Sequence, residues 1–227
     1  MDKLVEYLCI IQARVSSTRL PGKIMLDLAG KTLLERVYET VIKSNRVNKT
    51  IVATSNELSD DIIECKLNAL GICCFRGSLN NVLERFYTAA QKYEAKNIVR
   101  ITADNPLMDS KVIDDLIRHY EKNTSEYSMF TNAIYGLSAE VFSFNAIKSA
   151  YENTRNDFDR EHVTPYIKDF SKVSITDVTE KYKLPNLSAT VDTLDDYLKM
   201  QNFYLYCQKY DFEANIDRFI EKMSDKS

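Results

Sequence analysis

Arg14, Arg19 and Lys23 stand within one short polar stretch, Gln12-Ala-Arg-Val-Ser-Ser-Thr-Arg-Leu-Pro-Gly-Lys23, beside the hydroxyls of Ser16, Ser17 and Thr18. Arginine forks grip phosphate oxygens, a lysine adds a point charge, and the Pro21-Gly22 turn lets backbone amides approach. The combination suits a triphosphate. It is not a Walker loop, because the Gly-x-x-x-x-Gly-Lys-Ser/Thr order is absent. Composition by itself leaves a solvated basic loop as the alternative.

Two carboxylates are placed to complement it. Asp104, in Thr102-Ala-Asp-Asn-Pro-Leu107, follows a predicted strand, and a carboxylate held there by a following proline suits a hard divalent cation. An Asp in that position is also a common turn former. In Thr190-Val-Asp-Thr-Leu-Asp-Asp196, Asp192 or Thr193 reads as the cap of the next predicted helix. Of the two histidines, His162 in Arg160-Glu-His-Val-Thr-Pro-Tyr166 suits a general base or a structural donor equally. His119, late in an amphipathic helix, is expected to be solvated.

The elements that must position these groups read from hydrophobic spacing. Tyr7–Ile11 is a strand buried on both faces; Thr50–Thr54, Ile72–Phe75 and Ile98–Ile101 are further strands. Between them lie helices over 32–45, 56–70 (entered through Ser59 and Asp60, ended at Gly71), 79–95 and 109–120. Such alternation predicts an α/β fold with a mostly parallel sheet and helices on both faces, and ligands then bind beyond the carboxyl ends of the strands. The second half is less regular. Short strands are expected within 127–141, helices over 145–152 and 160–170, strands at 172–178 and 187–191, and a closing helix over 194–209. With no linker or repeat, residues 1–227 read as a single domain with a small arm, divided into halves of about 1–125 and 126–227.

Composition narrows the function. The chain has 227 residues, a net charge of −3 and a pI near 5.6, so no general basic field exists to hold a nucleic acid, and any polyanion must meet a local cluster. Its five cysteines show neither a CxxC pair nor a neighbouring His, which points to reduced thiols in the cytoplasm rather than disulfides or zinc. Asp2 and Glu6 ahead of a short apolar run are unlike a signal peptide, and no apolar run reaches the ~20 residues of a bilayer span.

The loop from Ile11 to Lys23 resembles the form (Ile/Val)-(Pro/Gln)-Ala-Arg-x-x-Ser-x-Arg-Leu-Pro-Gly-Lys of the sugar-activating cytidylyltransferases, including the KDO cytidylyltransferases and, most closely, the SpsF-like family of spore-coat polysaccharide synthesis. Further segments resemble that family in the same order: Phe75-Arg-Gly-Ser78 with Val82-Leu-Glu-Arg-Phe86, Val99–Leu107, Gly136-Leu-Ser-Ala-Glu-Val-Phe-Ser143, Arg160–Tyr166 and Thr190–Asp196. Asn80, Asn81 and Ser138 stand where the family has acidic residues, and Leu194 where it has proline.

The resemblance implies a Rossmann-like nucleotide-diphospho-sugar transferase fold, with a nucleotide-binding first half and an acceptor-binding second half. It implies an enzyme that transfers CMP from CTP to a small anionic acceptor, with Mg²⁺ as cofactor and a homodimer as assembly. Arg14, Arg19, Lys23 and Asp104 would be catalytic. Gln12, Ala13, Ser17, Gly77, Ser78, Arg85, Thr102 and Ala103 would join the three cations around the nucleotide; Glu140, Arg160, Glu161 and His162 would face the acceptor; Asp104 and Asp192 would ligate the metal. Three rivals share parts of this description. A glycosyltransferase needs an Asp-x-Asp turn after a strand, whereas Asp157-Phe-Asp159 lies in a stretch read as irregular. A guanylyl- or uridylyltransferase usually shows a glycine-rich first loop, and no glycine precedes Gly22. A non-catalytic nucleotide-binding module would not require Lys23, Asp104 and Asp192 together.

Overall fold

Strand β1, Val5–Gln12, alternates between two cores: Tyr7, Cys9 and Ile11 face one, Leu8 and Ile10 the other, and all five are buried. An apolar run without polar alternation therefore forms a central strand. The computed structural model describes residues 4–224, so Asp2 lies outside the described residues. Strand β1 is flanked in parallel by β2 (Lys49–Ser55) and β4 (Ala95–Thr102), and β2 by β3 (Cys74–Gly77). With β5 (Tyr127–Thr131), β6 (Glu140–Ser143) and β7 (Val173–Asp177), the described residues form a seven-stranded sheet of order β3-β2-β1-β4-β6-β5-β7. Only β6 runs against its neighbours. The expected mostly parallel α/β sheet is present.

One face carries α1 (Leu33–Val41), α4 (Ser110–Asn123), α8 (Leu194–Lys209) and α9 (Ile216–Ser224); the other carries α3 (Val82–Lys92) and α5 (Phe144–Asn153). The remaining helices are α2 (Asp61–Ala69), α6 (Asp157–His162) and α7 (Pro165–Phe170). Helix starts follow local chemistry: Thr32 with Glu35 and Thr193 with Asp196 form capping boxes, and the Asn81 side chain accepts from the Glu84 amide.

Several boundaries differ from expectation. The helix read over 79–95 is cut to 82–92, and Ala95 already belongs to β4, because Asn81 caps the start and Glu94 turns the chain with φ 48°. The helix read over 160–170 is two helices, broken where Val163 has φ 71° ahead of Pro165, which lacks the amide to continue the ladder. Asp157-Phe-Asp159 is helical rather than irregular, with the Asp159 carboxylate taken by Thr154 and Asn156. Residues 187–191 do not form a strand, although Ser188 bridges to Tyr135. The C-terminal α9 was not anticipated; it buries Ile216 and Phe219.

Candidate active site

In register, Gln12 pairs with both Ala53 and Thr102, and Ser55 with Gly77, so four loops leave the sheet at one edge. The antiparallel β6 brings Glu140 to that same edge, directly beside Arg100. Ladder bonds run on past the strand ends, with the Ala103 amide donating to Gln12 O and the Ala13 amide to Ala53 O, which fixes where the first and fourth loops begin.

The first loop folds back on itself. The amides of Ser17 and Gly22 donate to Val15 O, and Gly22 adopts φ +69°, which suits a residue without Cβ. Its anchor is Asp60, read from the sequence only as part of a helix start. One Asp60 oxygen accepts from the Val15 amide at 2.9 Å, and the other from the Thr54 hydroxyl and the Ser55 amide and hydroxyl. Burial would raise the Asp60 carboxyl, but these donors outweigh it and hold the group below its ordinary value. The signal in the sequence was Thr54-Ser55 at a strand end with an acid five residues on, a pattern with many other readings.

Lys23 and the two carboxylates meet. Lys23 Nζ lies 2.8 Å from Asp104 Oδ2, 2.9 Å from Asp192 Oδ1 and 2.8 Å from Val191 O, and is almost closed to solvent. Arg19 reaches Asp192 from the solvent side at 2.8 Å. Backbone bonds hold the pair in place: the Val191 amide and the Thr190 hydroxyl both donate to Asp104 O. Thr193, not Asp192, caps α8, so the Asp192 carboxylate keeps its oxygens for the cations.

Beside this centre opens a cavity of about 490 Å³, lined by Arg19, Arg100, Asp104, Ser138, His162 and Asp192 among others. Glu140 borders it, but its carboxylate is buried and engaged. Tyr127 and Thr164 donate hydroxyls to Oε1, Lys168 lies 3.0 Å away, and Arg100 forms a close ion pair with Oε2. Burial pushes the Glu140 carboxyl upward, yet Arg100, Lys168 and the Tyr127 hydroxyl overcome it and lower the group to about 2. Glu140 therefore acts through its partners, fixing Arg100, whose other end donates to the Gln12 side chain. His162 is exposed on the cavity wall with its ring 4.4 Å from that of Phe158.

A second cavity of about 480 Å³ is lined by Arg14, Ser78, Asn80, Asn81, Arg160 and Glu161 among others. Arg160 and Glu161, expected at the acceptor, thus stand beside the expected nucleotide residues, and Glu161 lies 3.6 Å from Arg14. Arg85 is buried, with Nη1 on Ser78 O. Ser17 Oγ accepts from the Leu20 amide, and Thr102 Oγ1 from Asn105, so both hydroxyls serve their own loops. His119 is half-buried rather than solvated, with Nε2 2.7 Å from Ser174 Oγ, linking α4 to β7.

Comparison with known proteins agrees with the loop motifs. A family model described as cytidylyltransferase matches residues 8–225. An uncharacterized protein of Methanocaldococcus jannaschii is 40% identical over 94% of this chain and 87% of its own length. The spore coat polysaccharide biosynthesis protein SpsF of Bacillus subtilis is 33% identical over 88% and 86%. A solved cytidylyltransferase from Leptospira borgpetersenii superposes with a TM-score of 0.82 at 30% identity, covering 89% of this chain and 87% of the other.

Proposed function

Since the chain belongs to the cytidylyltransferase family, we propose that it transfers CMP from CTP to an anionic sugar or small phosphorylated acceptor and releases pyrophosphate, in surface polysaccharide or glycoconjugate synthesis. One observation carries the reading: a basic loop and two carboxylates distant in sequence share a buried cation position beside the cavity of about 490 Å³.

In the proposed reaction an acceptor oxygen attacks the α-phosphorus in line. The bond to the bridging oxygen breaks, and its electron pair leaves with pyrophosphate. Arg14 and Arg19 oppose the charge that grows there, and such contacts act chiefly by being positioned beforehand. Arg100, held by Glu140 and Gln12, borders the acceptor cavity as a fixed cation for an anionic substituent. His162 presents an imidazole on the same wall and is assigned the acceptor's proton.

Magnesium fits this donor set. The place between Asp104 and Asp192 already accepts the positive charge of Lys23, and its neighbours are all oxygens: two carboxylates and the Val191 carbonyl. Asp104 and Asp192 would hold the ion, and its chemistry there is to neutralise phosphate charge and polarise the α-phosphoryl group. With the ion bound there, Lys23 would be left free to pair with the phosphates. Among the described residues no helix is long and apolar enough to cross a membrane. The five cysteines are free, as a reducing cytoplasm would keep them. A homodimer is the proposed assembly, to be read from the mass in solution.

The test is a pyrophosphate-release screen of each nucleoside triphosphate against a panel of acidic sugars and phosphorylated small acids. Release with CTP that requires one acceptor class supports the proposal. Equal turnover with UTP or GTP, or none with CTP across the panel, overturns it.

A further inference from the structure

Val163, between α6 and α7, adopts φ 71° and ψ −52°. Across it the Thr164 amide donates to His162 O at 2.8 Å. Residues 162–164 therefore form a γ-turn of the rarer, strained hand. Branching at Cβ makes valine one of the residues least suited to positive φ. Thr124 also has positive φ, but it lies in the ordinary left-handed region that closes a helix, at φ 49° and ψ 44°. Thr164 adds a second conflict: it is held at φ −102° and ψ −8°, a region that a following proline disfavours.

Strain of this kind persists only where the surroundings fix the chain. Here three contacts do so. The Val163 side chain is fully buried in the core beneath α3 and α5. On the α6 side its amide donates to Asp159 O at 2.9 Å, and the Asp159 carboxylate accepts from Thr154 and Asn156. On the α7 side Thr164 Oγ1 donates to Glu140 Oε1 at 2.8 Å, and Lys168 pairs with the same oxygen one helical turn later. A glycine would accept the conformation without strain, but it would give up the side chain that ties the turn to the core.

The turn has a consequence for His162. His162 and Arg100 line one cavity, and Glu140 fixes Arg100. In an unbroken helix residues 162 and 164 would project about 200° apart around the axis. With the Thr164 hydroxyl on Glu140, the imidazole would then face away from that cavity. Reversing the chain at Val163 keeps both on it.

Resting on the proposed cytidylyl transfer, we propose that Val163 is a positioning residue for it. Its strained turn, clamped between the Asp159 and Glu140 networks, holds the His162 imidazole on the cavity that Arg100 lines. There a ring nitrogen receives the proton of the acceptor hydroxyl as that oxygen bonds the α-phosphorus and pyrophosphate departs.

The test is a double-mutant cycle on the full chain. Turnover is measured with CTP and the acidic sugar that supports the fastest pyrophosphate release, and stability by urea melts. Val163→Gly removes both the strain and the anchor, and should lower kcat at least about tenfold while the KM for CTP stays within about twofold. In a His162→Ala background the same substitution should change kcat by less than about twofold, because its effect passes through the imidazole. An unchanged kcat in Val163→Gly overturns the inference, and so does an equal loss with and without His162. The melts check the backbone: glycine tolerates this φ and alanine does not, so Val163→Gly should outlast Val163→Ala in urea. The reverse order also overturns the inference. Should Val163→Gly fail to fold, Val163→Asn, which likewise accepts positive φ and fills more of the core, takes its place in the cycle. Turnover that survives His162→Ala unchanged removes this inference and the role given to His162 but leaves cytidylyl transfer standing, whereas absence of CTP-dependent pyrophosphate release removes the reaction itself.

Discussion

Lys23 Nζ and Asp192 Oδ1 lie 2.9 Å apart with both side chains nearly closed to solvent, and Asp104 completes the pair from the other side. The ammonium stands where two carboxylates would otherwise repel each other. On the proposed reading, a divalent cation held by Asp104 and Asp192 would compete with Lys23 for that place.

Lys23→Met is therefore expected to act in two directions. Turnover with CTP should fall about a hundredfold, the order of a lost contact to developing phosphate charge. Binding of Mn²⁺ without nucleotide, read by electron paramagnetic resonance, should tighten because its internal competitor is gone. Weaker Mn²⁺ binding in the variant would show that the lysine does not occupy the cation position.

Asp104→Asn and Asp192→Asn should each abolish turnover and the coupling between Mg²⁺ and CTP, because an amide is a far poorer ligand for this hard ion. Asp192→Asn also takes the carboxylate partner from Arg19 and Lys23. Calorimetric titration of Mg²⁺ against CTP decides. Unchanged coupling in both variants would place the ligands elsewhere.

Asp60→Asn replaces a carboxylate that accepts from Val15, Thr54 and Ser55. Its amide presents one oxygen and turns a donor towards the other donors, so stability should drop by about 2 kcal/mol. The KM for CTP should rise about tenfold as the first loop loosens. A stability loss with an unchanged KM would separate Asp60 from the loop's function.

Glu140 titrates well below its ordinary value, so its contribution to stability is complete above about pH 4.5 and disappears as pH falls towards 2. Glu140→Gln should cost roughly 3 kcal/mol at pH 7, the size of that depression expressed as free energy. In urea melts the gap between wild type and variant should narrow across pH 4.5 to 2. A gap that stays constant over that range would mean the carboxylate is not the stabilised species.

Ser138 is exposed and lines the 490 Å³ cavity, proposed for the acceptor, with Asp104, Glu140 and Asp192. Adding a charge there should repel an anionic acceptor by about 1–4 kcal/mol at close range, according to the local dielectric. Ser138→Asp is expected to raise the acceptor KM and leave the KM for CTP nearly unchanged. A change in the CTP value alone would exclude residue 138 from the acceptor side.

Much of this molecule was legible along the chain because the determining interactions are local. The short runs at 7–11 and 98–101 make central strands, and the cap at Thr193 needs only Asp196, three residues away. The Gln12–Lys23 loop was legible for the same reason: its cations, its Pro-Gly turn and the strand before it are contiguous. The break at Val163 was signalled by Pro165, although the apolar spacing on either side favoured a single helix.

Tertiary packing alone decided which charges meet. Lys23 finds Asp104 and Asp192 across sequence separations of 81 and 169, and reading it as a phosphate contact could not show that it holds the cation position first. Glu140 looked like a free acceptor ligand until the antiparallel β6 set it against Arg100 and buried it under Tyr127, Thr164 and Lys168. Periodicity reports whether a side chain faces a core, but a charge takes its role from the partners that burial leaves within reach. For Asp60 and Glu140 those partners lie on other elements, brought close only when the sheet and its loops close over them.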